Sequence, residues 1–171
     1  TFLDPHISWE VIDSGNPGVR KISNGFLMPL ITLVSLSAAI GSYLFINVEL
    51  SPVYSLLVGI KCFILLIVLV YSSAFLVKEI TYPLDLGRDF GIAFRIVTYS
   101  LVPLLLCQML SRLFESLQFI NVIGLYGMYI FWIGTERMLN PPKYKKMPLL
   151  IAASITVVAL FIITNSLLNM L

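Results

Sequence analysis

Lys61 is the side chain in this sequence whose surroundings most need a chemical explanation. It is the one charged residue in the apolar run 53–77. An ammonium group in such a run holds an anion when it faces an internal cavity, and extends towards water along its four-carbon stem when it faces hydrocarbon. The first arrangement predicts contact with an anionic headgroup or substrate. The second predicts that the ammonium group reaches the outer boundary, Glu49 or Glu115.

Two amide side chains, Gln108 and Asn121, lie in later apolar runs, towards the same outer half as Lys61. They either hydrogen-bond between helices as structural contacts or form a polar path together with Lys61. Lys61, Gln108 and Asn121 are therefore the candidate polar site within the apolar region.

Two groups of charged residues flank the apolar runs. They form either a cytoplasmic interaction surface or a set of solvated charges that fix the topology and attract anionic lipid. The first group is Asp85, Arg88, Asp89 and Arg95, and the second is Arg137, Lys143, Lys145 and Lys146.

Side chains suited to catalysis are scarce. His6 is the one histidine and precedes the apolar runs, which excludes a Ser-His or metal-histidine constellation within them. Cys62 and Cys107 fall inside apolar runs, where packing explains them better than a disulfide or a thiolate metal site. Basic residues sit at the edges of the runs rather than in one cluster. We therefore expect no enzyme activity, no metal or cofactor, and no nucleic-acid binding.

Five apolar runs must position these residues. The chain has 171 residues, of which 58% are hydrophobic and 12% charged. An α-helix of about 20 apolar residues crosses about 30 Å of hydrocarbon. The sequence thus predicts an all-α, polytopic transmembrane bundle that forms one domain, 26–171. The predicted spans are 26–46, 53–77, 91–110, 119–134 and 149–168.

Two prolines fall within these predicted spans. Pro29 lies in the first turns of the first span, where a missing N–H costs little. Pro103 lies near the middle of the third span, where it predicts a kink.

Lys and Arg residues alternate along the gaps between runs and predict the orientation. Nine of the 11 lie on the side of the N-terminus, whereas Arg112 is alone on the other side and Lys61 lies within a span. The positive-inside rule therefore predicts a cytoplasmic N-terminus and an outer C-terminus.

Residues 1–25 are predicted to form a cytoplasmic N-terminal segment. Asp4-Pro5 is typical of a helix start, and Ile7, Trp9 and Val11 suit either a short interfacial helix or a flexible tail. The segment lacks a signal-peptide pattern, so we expect the first span to be a retained anchor.

Several segments occur in the order and spacing of one membrane protein family. They are Asp4-Pro5 with Trp9 and Ile12, Phe26-Leu27-Met28-Pro29-Leu30, Phe94-Arg95 with Tyr99-Ser100-Leu101-Val102-Pro103-Leu104, and Leu125-Tyr126-Gly127-Met128-Tyr129 with Trp132-Ile133-Gly134. A basic, proline-containing loop and a final apolar span follow them. Over nearly its whole length the chain resembles the Yip family, named for interacting with Ypt/Rab GTPases, and specifically its prokaryotic branch.

The resemblance implies a five-helix membrane domain with a cytoplasmic N-terminus, in the cytoplasmic membrane of a prokaryote. Eukaryotic members act in vesicle trafficking and associate with small GTPases and with each other. This sequence has Asn24-Gly25-Phe26-Leu27-Met28-Pro29 where they show an Asp-Leu-Tyr-Gly-Pro motif, and it lacks their long N-terminal region. Small-GTPase binding is therefore not expected here.

Two functions are compatible with these patterns. The first is a non-enzymatic membrane protein of the Yip type that interacts with proteins or lipids in the bilayer, with anionic lipids, further copies of the chain or other membrane proteins as partners. The alternative is a small transporter or channel subunit with a polar path near Lys61.

Overall fold

The computed structural model describes Trp9, Gly15 and residues 18–45, 52–82 and 89–169. The described residues are almost entirely helical and contain no strand, which confirms the all-α fold class. Most of the predicted interfacial helix near Asp4-Pro5, and the loop residues Asp85 and Arg88, lie outside the described residues.

Five helical stretches follow one another along the chain. Helix α1 (19–45) comprises an α-helical turn Val19–Ile22, a π-helical stretch Ser23–Leu27 and the α-helix Met28–Phe45. Helix α2 is Pro52–Thr81 and α3 is Phe90–Leu113. A 3₁₀-helix, Glu115–Leu125, leads directly into α4, Tyr126–Leu139, and α5 is Lys143–Asn169.

The π-helical stretch of α1 has a cause in the sequence. A proline inside a helix clashes with the carbonyl group of the fourth residue before it, which for Pro29 is Gly25. The widened winding of Ser23–Leu27 surrounds that carbonyl group and makes room for the ring. The expectation that Pro29 lies in the first turns was wrong, because the helix begins at Val19, ten positions earlier.

Four of the described helical stretches are long and apolar enough to cross a membrane. They are Val19–Leu44, Pro52–Thr81, Phe90–Leu113 and Tyr144–Leu167. This arrangement is compatible with a multi-pass integral membrane protein. The predicted span 119–134 differs from the other four, because it is divided between the 3₁₀-helix and the 14-residue α4.

Helix α3 forms the centre of the bundle. It packs against α1, α2, the 3₁₀-helix and α4, and α2 also packs against α1 and α5. Two contacts bring the start of α1 to the end of α2 and to the start of α3. The Ser23 and Tyr71 hydroxyl groups lie 2.9 Å apart, and a Cβ at Gly91 would lie 3.8 Å from a Val19 methyl group.

The 3₁₀-helix and α4 together run antiparallel to α3. A Cβ added at Gly124 would lie 3.1 Å from the Cα of Leu104, and one added at Gly127 would overlap the carbonyl oxygen of Ser100. Residue numbers therefore increase along one segment while they decrease along the segment that contacts it. Two glycines allow the two backbones to approach this closely, as small residues do between helices in membranes.

Candidate intramembrane polar site and cavity

Asn121 and Gln108 both lie beside Ser111, near the end of α3. The Asn121 Nδ2 group donates to Ser111 Oγ over 3.2 Å, and the Ser111 hydroxyl group lies 3.2 Å from the backbone carbonyl oxygen of Gln108. Gln108 is only 4% exposed, and its Oε1 atom has no hydrogen-bond partner. The structure thus joins the 3₁₀-helix to α3 through one side-chain hydrogen bond at this level.

Asn121 belongs to a row of residues that face α3. Side chains three positions apart lie directly above one another in a 3₁₀-helix. Asn121, Gly124 and Gly127 follow that spacing, and both glycines are buried against α3. By contrast, Val122 and Ile123 are 68% and 64% exposed. The short period of this buried row explains why a 3₁₀-helix suits the segment before Tyr126.

Arg112 links α3 to α5 at the same end of the bundle. Its Nη2 group donates to Asn165 Oδ1 over 3.1 Å. The backbone carbonyl oxygen of Arg112 contacts α1, because a Cβ added at Gly41 would overlap it. Helices α1, α3 and α5 therefore meet near their C-terminal ends. Sequence reasoning treated Arg112 only as a topology signal and did not single out Asn165.

Lys61 lies apart from these groups. It is half-buried on α2, and it shares one side of the helix with Leu57 and Ile64, which are 56% and 54% exposed. Within the described residues its ammonium group has no ion pair or hydrogen bond. Glu49, one partner considered above, lies outside the described residues, and so does the side chain of Glu115. Among the described residues, no hydrogen bond links Lys61 to Gln108 or Asn121.

An apolar cavity of about 80 Å³ lies among α3, the 3₁₀-helix, α4 and α5. Its lining includes Leu101 and Leu104 of α3 and Val157 and Phe161 of α5. Three polar side chains also reach it, Ser100, Asn121 and Ser154. The Ser100 residue is 4% exposed and its hydroxyl oxygen has no hydrogen-bond partner. Lys61 is not among the residues that line this cavity.

The first charged group is only partly described. Asp89 caps α3, since its Oδ1 atom accepts from the Gly91 backbone N–H over 2.7 Å. Arg95 is 7% exposed, and its Nε group donates to the Gly91 carbonyl oxygen over 3.2 Å. Arg95 therefore presents little of its guanidinium group to a partner, and Asp89 serves the helix start.

The second charged group lies where α4 ends and α5 begins. Lys146 forms an ion pair with Glu136 over 2.6 Å, and Lys145 lies over the ring of Tyr144 at 5.6 Å. Arg137 is exposed in the last turn of α4. The side chain of Lys143 lies outside the described part of the chain. These placements suit both a solvated, topology-fixing role and an interaction surface.

Trp9 packs in the interior of the protein, whereas the sequence predicted only that it belongs to a short interfacial helix or a flexible tail. It is 1% exposed, its ring stands edge-on to Tyr99 at 6.1 Å, and it fills the space beside Gly134. The N-terminal segment is thus joined to α3 and α4 at this point. An aromatic ring of this size against a glycine leaves no room for a larger side chain at Gly134.

The described residues contain no group of three or more His, Cys, Asp or Glu residues that would hold a metal ion. The chain matches no protein family model, no curated protein and no solved structure. The resemblance to the Yip family therefore rests on the sequence segments quoted above.

Proposed function

We propose that this protein is a non-enzymatic integral membrane protein of the Yip type, which crosses the bilayer five times and acts by binding lipids or other membrane proteins. Its N-terminus is cytoplasmic and its C-terminus lies outside. The single observation that carries the proposal is the position of the segment 115–139 between two helices that run in the same direction.

The directions of α3 and α5 support five crossings. Arg112 and Asn165 pair near the C-terminal ends of these two helices, and Leu101 and Val157 line one cavity nearer their middles. The helices are therefore parallel. If both cross the membrane in the same direction, the segment between them must return the chain to the first side.

The segment 115–139 is long enough for this crossing. The backbone leaves the helical conformation at Leu117, so the uninterrupted part of the 3₁₀-helix is 118–125. At about 2.0 Å per residue these eight residues extend about 16 Å. The 14 residues of α4 add about 21 Å at 1.5 Å per residue. Together they exceed the hydrocarbon thickness of about 30 Å. The larger rise per residue of the 3₁₀-helix, compared with an α-helix, compensates for the shortness of the apolar run 119–134.

The distribution of cations supports the orientation. One end of the bundle contains the start of α1, the end of α2, the end of α4 and the start of α5. The start of α3 lies at the same end. The basic residues there whose side chains are described are Arg20, Lys21, Lys78, Arg95, Arg137, Lys145 and Lys146. Arg112 lies at the opposite end. The positive-inside rule assigns the lysine-rich end to the cytoplasm.

Reporter fusions test this topology directly. A reporter that is active only outside the cytoplasm, fused after residue 171, is expected to be active, and one fused at Asn140 is expected to be inactive. A cytoplasmic reporter at the same two positions is expected to give the reverse pattern. If the Asn140 fusion lies outside and the fusion after residue 171 lies in the cytoplasm, 115–139 does not cross and the five-span proposal is wrong. If both fusions lie on one side, α5 does not cross, and the proposal is wrong for that reason.

The proposed mode of action has a separate test. Cross-linking in native membranes is expected to capture a second copy of the chain or another membrane protein. Recovery of the monomer alone, in membranes where the topology is as proposed, would remove protein partners from the proposal and leave lipids.

The transporter alternative depends on a path shared by Lys61, Gln108 and Asn121. The geometry gives it no specific support, because Lys61 lies with exposed Leu57 and Ile64 on the outer side of α2. We therefore do not propose a transport function.

A further inference from the structure

We propose that the α3–α5 seam binds one phospholipid with an anionic headgroup. The α3–α5 seam is defined by Leu101, Leu104, Gln108 and Arg112 on α3 and by Val157, Phe161 and Asn165 on α5. One acyl chain enters the cavity in the middle of the seam, and the lipid phosphate lies beside Arg112. This inference rests on the proposed function, since it requires that the bundle cross a bilayer.

The cavity has the chemistry of an acyl-chain site. Apart from Ser100, Asn121 and Ser154, its lining is made of glycine and apolar side chains. Leu125 and Met128 belong to the lining and are 57% and 38% exposed, so the cavity opens sideways between the 3₁₀-helix with α4 and α5. In a bilayer this opening faces lipid hydrocarbon. An apolar cavity of this kind stays free of water but accepts apolar groups.

The size of the cavity limits what enters it. A closed apolar cavity of about 150 Å³ admits a molecule the size of benzene. The space here is about 80 Å³, which fits a short length of methylene chain and excludes a whole lipid. The rest of the lipid must therefore follow the seam outside the cavity, along the surface of the bundle.

Polar groups continue the seam towards the end of the bundle. Positions 104, 108 and 112 lie four residues apart and form one stripe along α3. Gln108 is buried on this stripe, and its amide oxygen has no hydrogen-bond partner. Arg112 lies at the end of the stripe, beside Asn165.

The spacing of these groups matches one lipid. Arg112 lies eight positions beyond Leu104, which is about 12 Å along the helix axis. A phosphate group beside Arg112 is thus separated from the cavity by a glycerol backbone and the first part of an acyl chain. Guanidinium groups bind phosphate oxygens through two parallel N–H donors, which favours a phosphate-bearing lipid over an uncharged one. The occupant is therefore a phospholipid.

Lipid retention by the purified full-length chain tests the inference. The protein is extracted from vesicles of phosphatidylcholine and phosphatidylglycerol, and the lipids that remain bound are counted by native mass spectrometry. The wild type is expected to retain one phospholipid, with about a fivefold preference for phosphatidylglycerol from one cation near the headgroup. Arg112→Gln is expected to remove that preference.

Substitutions that fill the cavity, compared with one on the exposed surface, test whether the lipid is bound in the cavity. Val157→Phe fills the cavity and is expected to abolish retention, with Val158→Phe as a second variant because Val158 also lines the cavity. Val122→Phe is the matched control, since Val122 is 68% exposed and does not line the cavity. It is expected to retain lipid as the wild type does. Circular dichroism establishes that each variant is folded.

Three results would overturn the inference. They are equal retention by folded Val157→Phe and wild type, a retained molecule that has no phosphate, and no retained phospholipid at all. Reporter fusions on the same protein separate this failure from failure of the proposed function. A five-span chain that retains no phospholipid contradicts only the lipid site, whereas a chain with another topology contradicts both.

Discussion

Gly127 offers the sharpest test of how 115–139 packs. A Cβ at this position would overlap the backbone carbonyl oxygen of Ser100, which cannot rotate away as a flexible side chain would. The substitution Gly127→Ala must therefore push α4 away from α3. Overpacking of this kind costs about 1–3 kcal/mol.

Helix propensity offsets part of that cost. Alanine is favoured over glycine within a helix by about 0.5–1 kcal/mol. We therefore expect Gly127→Ala to lower the free energy of unfolding by about 1–2 kcal/mol, which multiplies the unfolded fraction by about 5–30. Gly25→Ala is the control, because a Cβ at Gly25 would have no atom within 4 Å.

The measurement is reversible unfolding in mixed micelles, in which a denaturing detergent is titrated against a mild one. Helicity and tryptophan fluorescence follow the transition, and Trp132 lies on the same helix as Gly127. If Gly127→Ala is as stable as Gly25→Ala, α4 does not approach Ser100 closely. In that case the antiparallel packing against α3 would be refuted as well.

Three further predictions concern the polar site, the lone lysine and the N-terminal tryptophan. A double-mutant cycle with Ser111→Ala and Asn121→Ala should give a coupling energy of about 0.6 kcal/mol, the average for interhelical hydrogen bonds in membranes, and zero coupling would exclude the bond. Lys61→Met should favour insertion of α2 by about 1–3 kcal/mol in a glycosylation-mapping assay, without loss of stability; a less stable variant would reveal a buried partner of the ammonium group. Trp9→Ala should lower the free energy of unfolding by about 3 kcal/mol, because Trp9 is 1% exposed. Trp132→Ala is the control and should cost much less, because Trp132 is 43% exposed. Equal losses would contradict the burial of Trp9.

Hydropathy predicted the helical class and the four long apolar helices because both depend on side-chain composition. It treated 119–134 as another α-helix, because side-chain averages carry no information about how the backbone is wound. The sequence feature that indicates a 3₁₀-helix here is the three-residue spacing of Asn121, Gly124 and Gly127. That spacing places the three residues directly in line on a 3₁₀-helix, whereas on an α-helix they would span about 120° of the circumference.

The candidate site was predictable only in part. Gln108 and Asn121 were expected to hydrogen-bond between helices. The Asn121 side chain donates to Ser111 of α3, whereas the Gln108 amide oxygen has no hydrogen-bond partner. Arg112 and Asn165 are 53 positions apart, so no local pattern connects them. Their pairing depends on the direction of α5 relative to α3, which follows from packing of the whole bundle.

The π-helical stretch Ser23–Leu27 has a consequence for the tolerance of α1 to changes in chain length. A π turn is geometrically an α-helix into which one residue has been inserted. Loss of one residue between Ser23 and Leu27, together with replacement of Pro29, would therefore return α1 to regular winding, while Val19–Ile22 and Met28–Phe45 keep the faces they now present. Insertion of a residue cannot be absorbed in this way and would rotate Val19–Ile22 relative to Met28–Phe45. Natural length variation in this helix should consequently run towards shortening.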